Sequence, residues 1–133
     1  MTDDWWVFGS AGMTLAGASG LEPPDVDLLT SEEDARRLAE LWGLPVAPPA
    51  PSPQFRSRVF VKAAVAPLPI EIMAGLEVRA EGRWVPLRPG TRVAVPHGRS
   101  AIFIPSPAEQ IEICRLFGRP KDLARIPVLE ALA

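Results

Sequence analysis

Two aspartates one residue apart, Asp25 and Asp27, stand in a stretch that alternates with Val26 and Leu28. Successive strand side chains point to opposite faces, so residues 25–29 read as a strand with both carboxylates on one face and the apolar pair on the other. Two like charges that close are costly unless a cation sits between them, and Mg²⁺ takes carboxylates together with substrate phosphates. Glu71 interrupts an apolar run, with Ile70 and Ile72 directed to the opposite face. Alone, each acidic feature reads as a solvated strand position. Together they make a candidate three-carboxylate cation site. A third feature is Gly9-Ser10, which closes a short apolar run and opens a helix-forming stretch. Backbone N–H groups at a helix start bind phosphate, and glycine permits close approach.

These residues need a scaffold. Residues 5–8 read as a buried strand, 10–18 as a short helix of small residues weakened by Gly12 and Gly17, and 30–42 as a helix. Thr30 and Glu33 predict a capping box for that second helix. Ala35, Leu38, Leu41 and Trp42 form its apolar stripe, and Gly43 stops it. Residues 45–53 are a proline-rich loop, too short to divide the chain into two domains. From Arg58 the pattern is β. Val59, Val61, Ala63 and Val65 alternate, 70–78 form a second run, Glu81-Gly82 is a hairpin turn before 83–87, and His97-Gly98 closes another hairpin. Ser106, Pro107 and Glu109 start a helix that Gly118 ends, and a last helical stretch is interrupted by Pro127. The order β-α-β-α, then strands, then C-terminal helices over 106–133, predicts one α+β domain spanning 1–133 with a mixed sheet.

The bulk numbers set bounds. The chain has 133 residues, 47% hydrophobic and 23% charged, which suits one soluble domain with its own core. Its formal net charge of −2 gives no overall basic field, so extended nucleic acid is not an expected partner. The single cysteine, Cys114, forms no intramolecular disulfide and falls in an amphipathic helix as a core residue. No apolar run is long enough for a membrane span and no leader segment is evident, so the expected location is cytoplasmic.

In combination, VFGSAGMTLAGASGLEPPDVDLLTS (residues 7–31) resembles the signature of the DNA polymerase beta-like nucleotidyltransferases. That signature is an apolar residue, Gly-Gly or Gly-Ser, a spacer with a short helix, then Asp-x-Asp or Asp-x-Glu between apolar residues. Glu71, in the sequence Ile70-Glu71-Ile72, matches the third carboxylate, and GRPKDLARIPVLEAL (118–132) is similar to the helical ending of small members. The spacer is slightly long, Pro127 is expected to interrupt the final helix, and no counterpart of the additional helical domain of larger relatives is expected within these 133 residues. The resemblance implies a nucleotidyltransferase-like fold with helices mainly on one face of the sheet. It implies Mg²⁺ or Mn²⁺ held by Asp25, Asp27 and Glu71, and triphosphate held by Gly9 and Ser10. Glu71 would help bind a second metal and activate an acceptor hydroxyl. Transfer of a nucleoside monophosphate would release pyrophosphate.

Lys121, in the family-like RPKD stretch, is the best remaining candidate for a phosphate contact. Arg115 and Arg125 read as surface or dipole partners, His97 as an exposed turn residue, and Trp5, Trp6, Trp42 and Trp84 as core or pocket wall. The orientation of Lys62 stays open, because it depends on strand register. The acceptor is unidentified, with a homodimer or protein partner expected to complete its pocket. The alternative function is a non-catalytic nucleotide- or partner-binding module, for example in a toxin–antitoxin-type system.

Overall fold

Alternating apolar residues build the sheet that carries the carboxylates. In the computed structural model, which describes residues 3–46, 52–64 and 66–132, the first elements are β1 (Trp6–Phe8), α1 (Gly9–Leu15), β2 (Val26–Leu29) and α2 (Glu32–Leu41). There follow β3 (Phe55–Arg56), β4 (Val59–Ala63), β5 (Ile70–Ala74), β6 (Glu77–Ala80) and β7 (Arg83–Pro86). The chain ends with β8 (Val93–His97), β9 (Ser100–Ile104), α3 (Pro107–Phe117) and α4 (Pro120–Glu130). The result is a mixed α+β architecture. Two compact units divide the chain, one comprising Met1–Trp5 and Pro24–Leu87, the other Trp6–Pro23 and Arg88–Ala133.

In the first unit, β2 pairs parallel to β5, and β5 pairs antiparallel to β4. Register puts Leu28, Ile72 and Val61 in one row, and Ile72 and Val61 are fully buried. Burying a side chain of that size is worth about 1.5–3 kcal/mol, so this apolar face anchors the sheet. Helix α2 packs on β4 and β5. Its cap is Ser31, whose Oγ accepts from the Asp34 backbone N–H at 3.1 Å, instead of the expected Thr30. Thr30 is drawn away by tertiary structure, because its hydroxyl donates to the Asp4 carbonyl. Ala35 and Ala39 are buried, whereas Leu41, expected in the apolar stripe, is 76% exposed.

The run over 70–78 is two strands, not one. Gly75 has φ +64°, a left-handed conformation that breaks the extended chain and sends it from the β4-β5 pairing into a second sheet, β3-β6-β7. The β6–β7 hairpin pairs Ala80 with Arg83 and therefore turns at Glu81-Gly82 as expected. In that sheet Arg79 faces Trp84 across the strands, and the Arg56 guanidinium lies 4.3 Å from the Trp84 ring centroid. Strand β3 carries no signal in sequence beyond two residues after the proline-rich loop. Most of that loop, and the expected strand position Val65, lie outside the described residues.

In the second unit, α1 packs on β1, and Met13, Ala18, Ile111, Cys114 and Leu129 form a core cluster. The β8–β9 hairpin pairs His97 with Ser100, so its loop is Gly98-Arg99, one residue beyond the expected turn. Helix α3 is capped by Ser106 and ends at Gly118, as the sequence indicates. Glu109 does not complete the capping box. Its carboxylate accepts from the backbone N–H groups of Gly90 and Thr91 at 2.7 and 2.8 Å, and from the Thr91 hydroxyl. Burial pushes this carboxyl up, but the three hydrogen bonds outweigh it and hold Glu109 below the usual carboxylate range. Helix α4 continues through Pro127. The ring removes one backbone donor, but Leu123, four residues earlier, is on the exposed side, and fully buried Leu129 holds the last turn in the core.

Candidate active site

Asp27 and Glu71 are direct neighbours, because the parallel register of β2 and β5 pairs Val26 with Ile70, Asp27 with Glu71 and Leu28 with Ile72. Asp25 immediately precedes β2, and the backbone N–H of Val26 is fixed by the Pro69 carbonyl at 2.9 Å. The expected alternation therefore holds, with acids on one face and Val26 and Leu28 on the other. Ligand oxygens of Asp25, Asp27 and Glu71 all lie within 4.8 Å of one another, and all three residues are half-buried. The sequence thus identified a set of carboxylates that converge in space.

Electrostatics make this convergence costly without a cation. Burial and then the negative charge of Asp25 push the Glu71 carboxyl above the usual carboxylate range. The Lys62 ammonium and a hydrogen bond with Asp27 pull the other way without cancelling the rise. Three oxygen donors with no histidine or cysteine among them are a donor set that could hold a hard divalent cation.

Lys62 is the residue that sequence left undecided. The antiparallel register of β4 and β5 pairs it directly with Glu71, so it shares the carboxylate face. Nothing in the sequence fixes that register, since it depends on how the chain turns between Ala63 and Ile70.

The other expected contacts lie in the second unit. Gly9 and Ser10 are the first two residues of α1, with Gly9 at φ +68°. The Ser10 carbonyl accepts from the Thr14 hydroxyl at 2.9 Å. Glycine at position 12 is enforced by packing, because a Cβ there would lie 2.7 Å from the Val7 carbonyl oxygen. Lys121 is exposed in the first turn of α4. The Arg119 guanidinium beside it is tied to Asp122 at 2.6 Å.

No protein-family model and no curated protein sequence matches the chain. Solved structures that resemble it include the following two. One is a Thermotoga maritima protein assigned as a nucleotidyltransferase, TM1012, with a TM-score of 0.70 and 21% identity over 99% of this chain and 81% of that one. The other is the lincosamide antibiotic adenylyltransferase LnuA in its lincomycin-bound structure, with a TM-score of 0.59 and 15% identity over 100% of this chain and 89% of that one. The chain has the fold of these nucleotidyltransferases, in agreement with the fold expected from residues 7–31.

Proposed function

We propose that the chain is a metal-dependent nucleotidyltransferase that moves a nucleoside monophosphate from a nucleoside triphosphate to an acceptor hydroxyl. The observation that carries this reading is the convergence of Asp25, Asp27 and Glu71 within 4.8 Å on a fold shared with nucleotidyltransferases. Asp25 and Asp27 would hold the divalent ion, with Glu71 as the third carboxylate. When bound, the ion supplies charge neutralisation for the triphosphate and its developing negative charge. The acceptor hydroxyl would give its proton to the Glu71 carboxylate as its oxygen bonds to the α-phosphorus, the bond from that phosphorus to the bridging oxygen would break, and pyrophosphate would leave with both electrons of that bond. The resemblance of residues 7–31 assigns the phosphates to Gly9 and Ser10, and the RPKD stretch adds Lys121. The lincomycin-bound structure of LnuA, a lincosamide antibiotic adenylyltransferase, supports a small molecule as the acceptor class.

The test is pyrophosphate release with each of the four nucleoside triphosphates, Mg²⁺ or Mn²⁺, and a panel of hydroxylated small molecules that includes lincomycin. Release that needs both metal and acceptor, and that is lost in Asp25→Ala and Asp27→Ala, supports transfer. Metal-dependent nucleotide binding without turnover on any acceptor points instead to a binding module. Absence of any response to nucleotide defeats both.

A further inference from the structure

The carboxylates are the middle and one end of a row that continues across the sheet. Asp27 on β2, Glu71 on β5 and Lys62 on β4 occupy matched positions in consecutive strands. Side chains opposite one another on paired strands share a face, with Cβ atoms about 5 Å apart. The ammonium of Lys62 is thus held on the face where the three acids converge, at the solvent-exposed edge of this part of the sheet. Among the described residues Lys62 forms no salt bridge, and its charge acts on Glu71 only from across the strand pair.

A cation in this place works against the cation the acids would hold, because like charges raise the cost of bringing the divalent ion in. Its position makes chemical sense when the ligand is itself strongly anionic. A triphosphate brings negative charge to both partners at once, oxygen ligands for the metal and acceptors for an ammonium. Edge strands also carry lysines simply to discourage pairing with other chains, and a lysine of that kind has no preference between metal and phosphate. The two roles differ in what they do to each ligand.

We infer that Lys62 is a phosphate-binding residue of the carboxylate site, contacting the triphosphate of the bound nucleotide from strand β4. This assignment rests on the nucleotidyl-transfer reading and adds to it a residue outside the glycine-serine turn and the C-terminal helices.

Calorimetric titration of the full chain separates the roles. The probes are Mn²⁺ alone, and inorganic tripolyphosphate in the presence of saturating Mn²⁺, which needs no knowledge of the nucleobase. Loss of one charge-assisted hydrogen bond to phosphate weakens binding by roughly tenfold or more. Lys62→Met is therefore expected to lose about tenfold or more in tripolyphosphate affinity while binding Mn²⁺ alone as well as wild type or better, and Lys62→Arg is expected to restore most of the loss. Unchanged tripolyphosphate affinity in Lys62→Met, with binding still abolished in Asp25→Asn, overturns the role of Lys62 and leaves the site reading standing. Equal weakening of Mn²⁺ and tripolyphosphate binding in both Lys62→Met and Lys62→Arg, with the folded circular-dichroism spectrum retained, overturns it too, since the residue then acts on the whole site and not on phosphate. Wild-type protein that binds Mn²⁺ but neither tripolyphosphate nor any nucleoside triphosphate overturns both.

Discussion

Replacing Asp25 with asparagine preserves the size of the side chain and removes one charge from the carboxylate cluster. The oxygens concerned lie within 4.8 Å of one another. Two full like charges at 4.8 Å repel by about 0.9 kcal/mol in bulk water and by about 3.5 kcal/mol at an effective dielectric of about 20. Asp25 and Glu71 are half-buried, so solvent screening places the repulsion low in that span, at about 1–2 kcal/mol. For a chain of this length each kcal/mol moves the unfolding midpoint by roughly 3–5 °C. With divalent ions chelated, Asp25→Asn is expected to melt above wild type by roughly 3–10 °C. Divalent ion reverses the order. At a free Mn²⁺ concentration about 100 times its dissociation constant, binding to the native state alone adds about 2.7 kcal/mol, or roughly 10 °C, to wild type. The variant, short of one ligand, is expected to gain little. Circular dichroism melts of both proteins, in chelator and across a Mn²⁺ series, give four midpoints whose order must invert. A wild type indifferent to Mn²⁺, or a variant that gains as much as wild type, refutes the idea that these carboxylates share a cation.

The Glu71 carboxyl should also leave a pH signature. Its folded pKa is raised, so the stability it contributes is fully present below the unfolded value near 4.5 and is lost as pH rises through the folded value. Glu71→Gln, which cannot ionise, is therefore expected to gain in midpoint over wild type on going from pH 4 to pH 7.5 in chelator, and a difference that stays flat with pH sinks this account. Gly12→Ala drives a Cβ to within 2.7 Å of the Val7 carbonyl, a backbone clash that no rotamer relieves. An overpacking loss of about 1–3 kcal/mol is expected in chemical denaturation, and an unchanged denaturation midpoint would show that the turn between β1 and α1 has room to spare.

The carboxylate set was legible because alternation alone fixes which residues of a strand share a face. Ile70 and Ile72 flank Glu71 as Val26 and Leu28 flank Asp27, and matching patterns lie matched in the sheet. The fold was legible where turn and cap residues act locally, as at Ser106, Gly118 and Glu81-Gly82. It was not where a distant partner decides. Thr30 is claimed by the Asp4 carbonyl, leaving Ser31 to cap α2, and Glu109 is claimed by Gly90 and Thr91. Gly75 lies inside an unbroken apolar run, so only its backbone angle reveals that one apparent strand is two. Pro127 misled for the opposite reason: core packing at Leu129 carries the helix past a residue that breaks it in isolation. The orientation of Lys62 needed the register of a strand pair, which no local pattern encodes.

That register has a consequence for how the protein can fail. Sliding β5 by one position would swing Glu71 among Val61 and Leu28 and put an isoleucine beside Asp27. Ile72 and Ala74, both fully sheltered from water, would be thrown outward at the same stroke. The core thus proofreads the carboxylates: a chain with misaligned strands has already forfeited its fold. Damage to the apolar face should consequently thin the population of competent molecules without detuning those that remain. Metal affinity per folded molecule would stay constant while the folded fraction declines.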